Sequence, residues 1–248
     1  LDRFQGEKDF QSRRKIRLTR EEKSSDLPES SGGLVTVFDP ANPVSEAYRT
    51  LRTSLLYSLV DTPPKVIVLT SAGPGEGKSI TCANLGVVLA QADMNTLILD
   101  CDFRKPTLHT VFELRNLRGV TNALVQERSP QEIWQEPVPG LKVITPGPIP
   151  PNPAELLGSR RFAEFVTQLR QQFDYLLIDS PPLELVTDPV ILATRGDGVL
   201  LVLDAQNTRK GSVRRAVRDL ESVGANVLGT VMNNVKTSRI RAYYEYGY

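Results

Sequence analysis

Between the apolar run Lys65-Val66-Ile67-Val68-Leu69-Thr70 and a helical stretch that opens at Lys78 lies Ser71-Ala72-Gly73-Pro74-Gly75-Glu76-Gly77-Lys78-Ser79. A short strand-like run feeds a glycine-rich turn, and the turn feeds a helix. Glycines let backbone N–H groups close round an anion, and a helix N-terminus favours the negative charge. A lysine can reach terminal phosphates, and a hydroxyl can hold Mg2+. The stretch reads as a phosphate-binding loop, with Ala72, Gly73, Pro74, Gly75, Glu76, Gly77, Lys78, Ser79 and Ile80 around the nucleotide and Ser79 toward the metal. Ala72 stands where the usual motif has Gly, and it tolerates fewer backbone conformations.

Working outward, aliphatic runs recur at Lys65 to Thr70, Thr96 to Asp100, Leu141 to Thr145, Tyr175 to Asp179, Gly198 to Asp204 and Val227 to Asn233. Their near-continuous apolar character predicts strands buried on both faces. Helical stretches lie between them, clearest at Lys78 to Gln91, Arg160 to Gln172, Asp188 to Arg195 and Ser212 to Val223. From Pro43, the residues Tyr48, Leu51, Leu55 and Leu59 fall at helical spacing, and that helix should end before Thr62-Pro63-Pro64. This alternation predicts an α/β fold of the P-loop NTPase type, a mostly parallel sheet flanked by helices on both faces. In such sheets ligands gather at the carboxyl ends of strands.

Those ends carry acids. The second run leaves through Asp100-Cys101-Asp102-Phe103-Arg104, where alternate residues point the same way, and another ends in Asp179-Ser180-Pro181-Pro182. Three carboxylates, Asp100, Asp102 and Asp179, are thereby expected at one phosphate site. Lys78 and a metal held by Ser79, Asp102 and Asp179 would neutralise charge on a transferring phosphoryl group. Asp100 would accept a proton, although the sequence leaves the roles of Asp100 and Asp102 interchangeable.

From Pro43 to Tyr248 the chain resembles the cytoplasmic catalytic domain of the bacterial tyrosine kinases that regulate capsule and exopolysaccharide assembly. The loop Ala72 to Ser79, the D-x-D-x-R pattern of Asp100, Asp102 and Arg104, and the D-[ST]-P-P pattern of Asp179 to Pro182 match its motifs. A further family stretch is matched by Gly147-Pro148-Ile149-Pro150-Pro151-Asn152-Pro153-Ala154-Glu155-Leu156-Leu157. The resemblance implies a fold related to the partition and septum-positioning ATPases, with ATP and Mg2+ as cofactors and Asn233 near the adenine. It also implies an oligomer-forming motif at Glu46, Arg49 and Arg52, and autophosphorylation of Tyr243, Tyr244, Tyr246 and Tyr248. Further implied are a homo-oligomeric ring, a membrane activator or polysaccharide co-polymerase domain, fused upstream or separate, and a cognate tyrosine phosphatase. The implied place is cytoplasmic, at the inner face of the plasma membrane.

Four of the seven Tyr lie within the closing segment Arg241 to Tyr248, where a free tail has no core in which to bury them. Fully extended, the chain beyond Asn233 spans about 50 Å, enough to reach a neighbouring subunit. The expected organisation is a polar, flexible arm over 1–40, a kinase domain over 41–235 and a tyrosine-rich tail over 236–248. The basic cluster Arg13-Arg14-Lys15-Ile16-Arg17 in that arm reads as solvated charge. Leu1 is not a starting Met, which leaves room for an anchor upstream.

The composition is that of an ordinary domain with tails, 248 residues with 40% hydrophobic. Thirty Lys plus Arg balance 29 Asp plus Glu, which argues against nucleic acid bound by bulk electrostatics. Two Cys exclude a disulfide scaffold, and no run approaches the length of a membrane helix. His109, Cys82 and Cys101 sit in no ligand or redox pattern, and the basic run from Arg209 to Arg218 reads as a solvated face. The nearest alternative is a partition-type ATPase, which carries an extra lysine where Gly73 stands and lacks the tyrosine cluster. Another is a nucleotide-gated scaffold in which assembly is the function.

Overall fold

Runs such as Val-Ile-Val-Leu and Leu-Ile-Leu have no polar face to turn to water, so they form strands only inside a sheet covered on both sides. The computed structural model of the chain describes residues 33–57, 63–126 and 128–236 and shows a sheet of this kind. Its strands are β1 (Val66–Ser71), β2 (Thr96–Asp100), β3 (Gln135–Val138), β4 (Leu141–Ile144), β5 (Tyr175–Asp179), β6 (Gly198–Asp204) and β7 (Val227–Asn233). The order is β3-β4-β2-β5-β1-β6-β7, all parallel except the β3–β4 pair. β5 therefore sits between β1 and β2, and Asp179 at its end is the register partner of Asp100.

Alternation along the strands divides the core. Val66, Val68, Leu97 and Leu99 face α5 (Val120–Gln126), α6 (Pro153–Gly158), α7 (Arg160–Gln172), α8 (Asp188–Ala193) and α9 (Lys210–Ser222). Ile67, Leu69 and Ile98 face α1 (Val35–Phe38), α2 (Pro43–Tyr57), α3 (Lys78–Ala90) and α4 (Leu108–Val111). Local chemistry sets several starts: Pro43 and Pro153 begin α2 and α6, and the Ser159 hydroxyl accepts the Phe162 N–H at the head of α7. Phe162, Phe165, Val166 and Leu169 then line the buried face of α7 at helical spacing.

Three differences from the sequence reading have physical causes. Strand β3 carries no strand signal in the sequence, because Gln135-Glu136-Pro137-Val138 is polar and contains a proline; it survives as an irregular antiparallel edge. Strand β7 is only partly buried, as an edge strand must be, and is not covered on both faces. The last part of the stretch read as an arm is docked on the domain. Thr36 N and Oγ1 donate to Asn84 Oδ1 at 3.1 and 2.8 Å, and Asn84 Nδ2 donates to Gly33 O at 2.8 Å. Leu34, Val35 and Thr36 are buried there, so the folded unit includes residues ahead of 41. Residue Leu59 of the expected α2 face lies outside the described residues, while α2 itself ends at Tyr57.

Asn84→Ala removes the one oxygen that accepts from both Thr36 N and Oγ1, and the donor to Gly33 O. It is expected to destabilise the domain by about 2 kcal/mol in urea denaturation, the cost of buried polar groups left without partners.

Candidate active site

The turn after β1 can close tightly only where Cβ atoms are absent. Gly77, with φ +89°, directly precedes α3, and a Cβ placed on it would lie 2.0 Å from Asn233 Nδ2. That amide instead donates to Glu76 O at 3.1 Å, so the end of β7 is fastened to the phosphate loop. The loop is also braced from inside. The buried Glu76 carboxylate accepts Ala72 N–H at 3.0 Å and the Thr208 hydroxyl at 2.6 Å. Beyond Thr208, Asp204 collects N–H groups from Gln206 and Asn207 and the side-chain amides of Asn207 and Asn234 at 2.8–3.1 Å.

Lys78 opens α3 and reaches the strand ends. Its Nζ lies 2.9 Å from Asp102 Oδ2, 3.1 Å from Ser79 Oγ and 3.8 Å from Asp179 Oδ1. Asp100 Oδ1 accepts the Asp102 N–H at 3.1 Å, and Asp102 Oδ1 accepts Arg104 N–H and Lys105 N–H at 3.3 and 2.9 Å. The structure thus brings together Ala72 to Ser79, Asp100, Asp102, Asp179 and Asn233. The Ile80 side chain turns instead toward Gly33.

The ParA family model, described as NUBPL iron-transfer P-loop NTPase, matches residues 62–241. The tyrosine-protein kinase YwqD of Bacillus subtilis is 40% identical over 216 residues, 87% of this chain and 90% of that protein. The chain is a member of the bacterial tyrosine kinase family. Within the broader P-loop fold, the chimerical protein CapA2B2 superposes with a TM-score of 0.79 at 37% identity, covering 82% of this chain and 90% of that one. The Salmonella typhimurium tyrosine-protein kinase Wzc is 33% identical over 87% of this chain, which spans 30% of that longer protein. The septum site-determining protein MinD of Pyrococcus horikoshii, complexed with Mg-ADP, shares the fold alone: TM-score 0.59 at 19% identity over 68% of this chain and 69% of that one.

In this tyrosine-kinase chain the site is electrostatically loaded. Burial works against the Lys78 ammonium, but Asp179, Asp102 and Asp100 outweigh it and lift its pKa above the ordinary lysine value. Burial and the Asp179 charge push Asp100 well above the carboxylate range, and burial raises Asp179 against the pull of Lys78. Asp100 Oδ2 and both Asp179 oxygens are buried without a hydrogen bond of ordinary length. The Asp179 oxygens suit a hard cation, and the Asp100 oxygen is open to a proton. Among the described residues no three acidic, His or Cys side chains form a ready chelate, so Mg2+ here would be completed by the Ser79 hydroxyl, phosphate oxygens and water. Burial and the neighbouring carboxylates raise the Cys82 and Cys101 thiols well above their usual value, which keeps both protonated.

The other sequence-derived residues stand apart from this centre. On α2, Arg49 pairs with Glu46 at 2.7 Å and donates to Pro40 O, while Arg52 donates to Val88 O at 2.7 Å near the end of α3. Tyr243, Tyr244, Tyr246 and Tyr248 lie outside the described residues. Sequence reasoning places Glu76 in the loop but not its carboxylate as a brace. It misses Thr208, Asp204 and Asp188, the last joined to Arg104, and no sequence pattern marks these three.

The amides of Asn207 and Asn234, with the Gln206 N–H, lower Asp204 from 3.8 to about 2. A lowered carboxylate contributes stability above its unfolded value and loses it as pH falls through its folded value. The wild type should lose stability between pH 3.8 and about 2, a component that Asp204→Asn lacks. The variant should also be less stable at neutral pH, because its amide faces donors. Urea titrations across pH measure both effects.

Proposed function

We propose that the chain is an ATP- and Mg2+-dependent protein tyrosine autokinase acting on its own C-terminal cluster, Tyr243, Tyr244, Tyr246 and Tyr248. The observation that carries this reading is Lys78 lodged at the head of α3 between Asp102 and Asp179, with Asp100 buried alongside. The relatives' names as tyrosine-protein kinases and the ParA-type fold support it.

The loop N–H groups and the first turn of α3 would hold the phosphates, with Lys78 countering the charge that spreads over the transferring phosphoryl group. Ser79, Asp102 and Asp179 would hold Mg2+, which when bound screens the phosphate oxygens from the approaching phenol. Both Asp102 oxygens are engaged, whereas Asp100 keeps Oδ2 without a partner. That difference favours Asp100 as the acceptor of the tyrosine proton. Burial and the Asp179 charge raise its affinity for protons, the direction a proton acceptor needs. Asn233, anchored to Glu76 O, would stand at the adenine side.

The tail's reach, about 50 Å when extended, fits transfer between subunits of a ring assembled through Glu46, Arg49 and Arg52. Each phosphotyrosine adds about −1.5 to −2 charge, which would weaken an assembly that threads tails into neighbouring sites. The role placed on this chemistry is regulation of capsule or exopolysaccharide synthesis. Its partners are a membrane activator or co-polymerase domain and a phosphatase that resets the tail. CapA2B2 and the longer Wzc, both similar to this chain, support a partnered arrangement. Among the described residues no helix is long and apolar enough to cross a membrane, so location at the inner membrane face would rest on a partner or upstream segment.

Intact mass and peptide mapping after incubation with Mg2+ and ATP test the proposal. Wild type should gain phosphate on the tail tyrosines, and Lys78→Met should fall by at least about 100-fold, the scale of losing one transition-state charge contact. ATP hydrolysis with an unmodified tail, even with a membrane activator present, would instead identify a ParA-type ATPase.

A further inference from the structure

Arg104 lies two residues beyond Asp102, on the segment that leaves β2. Its Nε and Nη2 donate to Asp188 Oδ2 and Oδ1 at 2.9 and 3.1 Å, a fork-on-fork pair. The Asp188 side chain is fully buried while that of Arg104 is 44% exposed, so the acid is the fixed half of the pair. Asp188 is the first residue of α8, which packs on β1, the strand that feeds the phosphate loop, and on α6. Helix α6 belongs to the Gly147-to-Leu157 stretch, whose purpose motif reading left open.

The other end of this connection is Asp102. The Arg104 and Lys105 N–H groups both donate to Asp102 Oδ1, which leaves Oδ2 to meet Lys78 at 2.9 Å. A guanidinium held by two parallel hydrogen bonds is fixed at its tip, which limits how far the backbone that carries it can move. The orientation of Asp102 is therefore referred to the α6–α8 layer and not to its own strand alone.

We propose that Arg104, clamped by Asp188, is a positioning residue that aims Asp102 at Lys78 and at the Mg2+ side of the phosphate site, with α6 seating α8 beneath it. This inference rests on the reading of Asp102 as a metal-side carboxylate given above. It goes beyond that reading by assigning work to Arg104, Asp188 and α6.

A purely structural ion pair predicts something different. Arg104→Ala leaves Asp188 buried without its partner and should lower the thermal midpoint, and Asp188→Asn in the same chain relieves that cost. If the pair only stabilises, the double variant recovers everything. If it positions Asp102, the double variant recovers the thermal midpoint but not metal-dependent function.

The test titrates a fluorescent ATP analogue into the full chain with and without Mg2+, for wild type, Arg104→Ala, Arg104→Ala with Asp188→Asn, and Arg104→Lys. Arg104→Lys keeps the charge and loses the fork, so it remains informative if the other variants fold poorly. The gain in affinity on adding Mg2+ should shrink by about tenfold in the double variant and in Arg104→Lys, while metal-free affinity stays within about twofold. A double variant or Arg104→Lys that keeps the wild-type gain overturns the proposal. Failure of wild type to phosphorylate its tail while Mg2+ still tightens binding would sink the kinase reading alone, and the clamp would still be judged on the affinity ratio. Absence of any Mg2+ gain in wild type would overturn both.

Discussion

Around Lys78 the carboxylates outnumber the cation. Asp100, Asp102 and Asp179 are all buried, and one ammonium is shared among them. In a poorly polarisable interior that imbalance is costly, and it is tolerated because the surrounding fold keeps the charges from separating. Parallel strands β2 and β5 hold Asp100 and Asp179 in register, while the turn after Asp102 locks its second oxygen to backbone N–H groups. A centre built this way is poised for additional positive charge. On the proposed function, that imbalance would favour a metal-bearing anion over an anion alone.

The phosphate loop was legible because its chemistry demands particular residues at fixed spacing, and no other arrangement of Gly77, Lys78 and Ser79 after a strand serves as well. The acidic strand ends were legible for a related reason: Asp100 and Asp179 directly follow the aliphatic triplets Leu97-Ile98-Leu99 and Leu176-Leu177-Ile178. What escaped was pairing at long sequence separation. Arg104 and Asp188 are 84 residues apart, and an Asp ahead of Pro189 looks like any helix start. Thr36 and Asn84 are ordinary polar residues until the fold sets them 2.8 Å apart. Strand β3 escaped because edge strands tolerate the polar residues and proline that disqualify central ones.

Two sets of connections converge on the loop from opposite sides. On the β6–β7 side, Asp204, Thr208 and Glu76 link the strand exits to the Ala72 backbone. On the β2 side, Asp188 and Arg104 reach Lys78 through Asp102. The loop's geometry is consequently determined by elements distant in sequence, and a glycine-rich segment that would be mobile in isolation is held ready for ligand.

The docking of Thr36 on Asn84 has a mechanical meaning. Asn84 sits on α3, the helix whose first two residues are Lys78 and Ser79. Gly33 and Thr36, at the start of the described residues, are therefore tied to the rod that begins at the phosphate loop. A displacement of Gly33 or Thr36 would pass through Asn84 to α3.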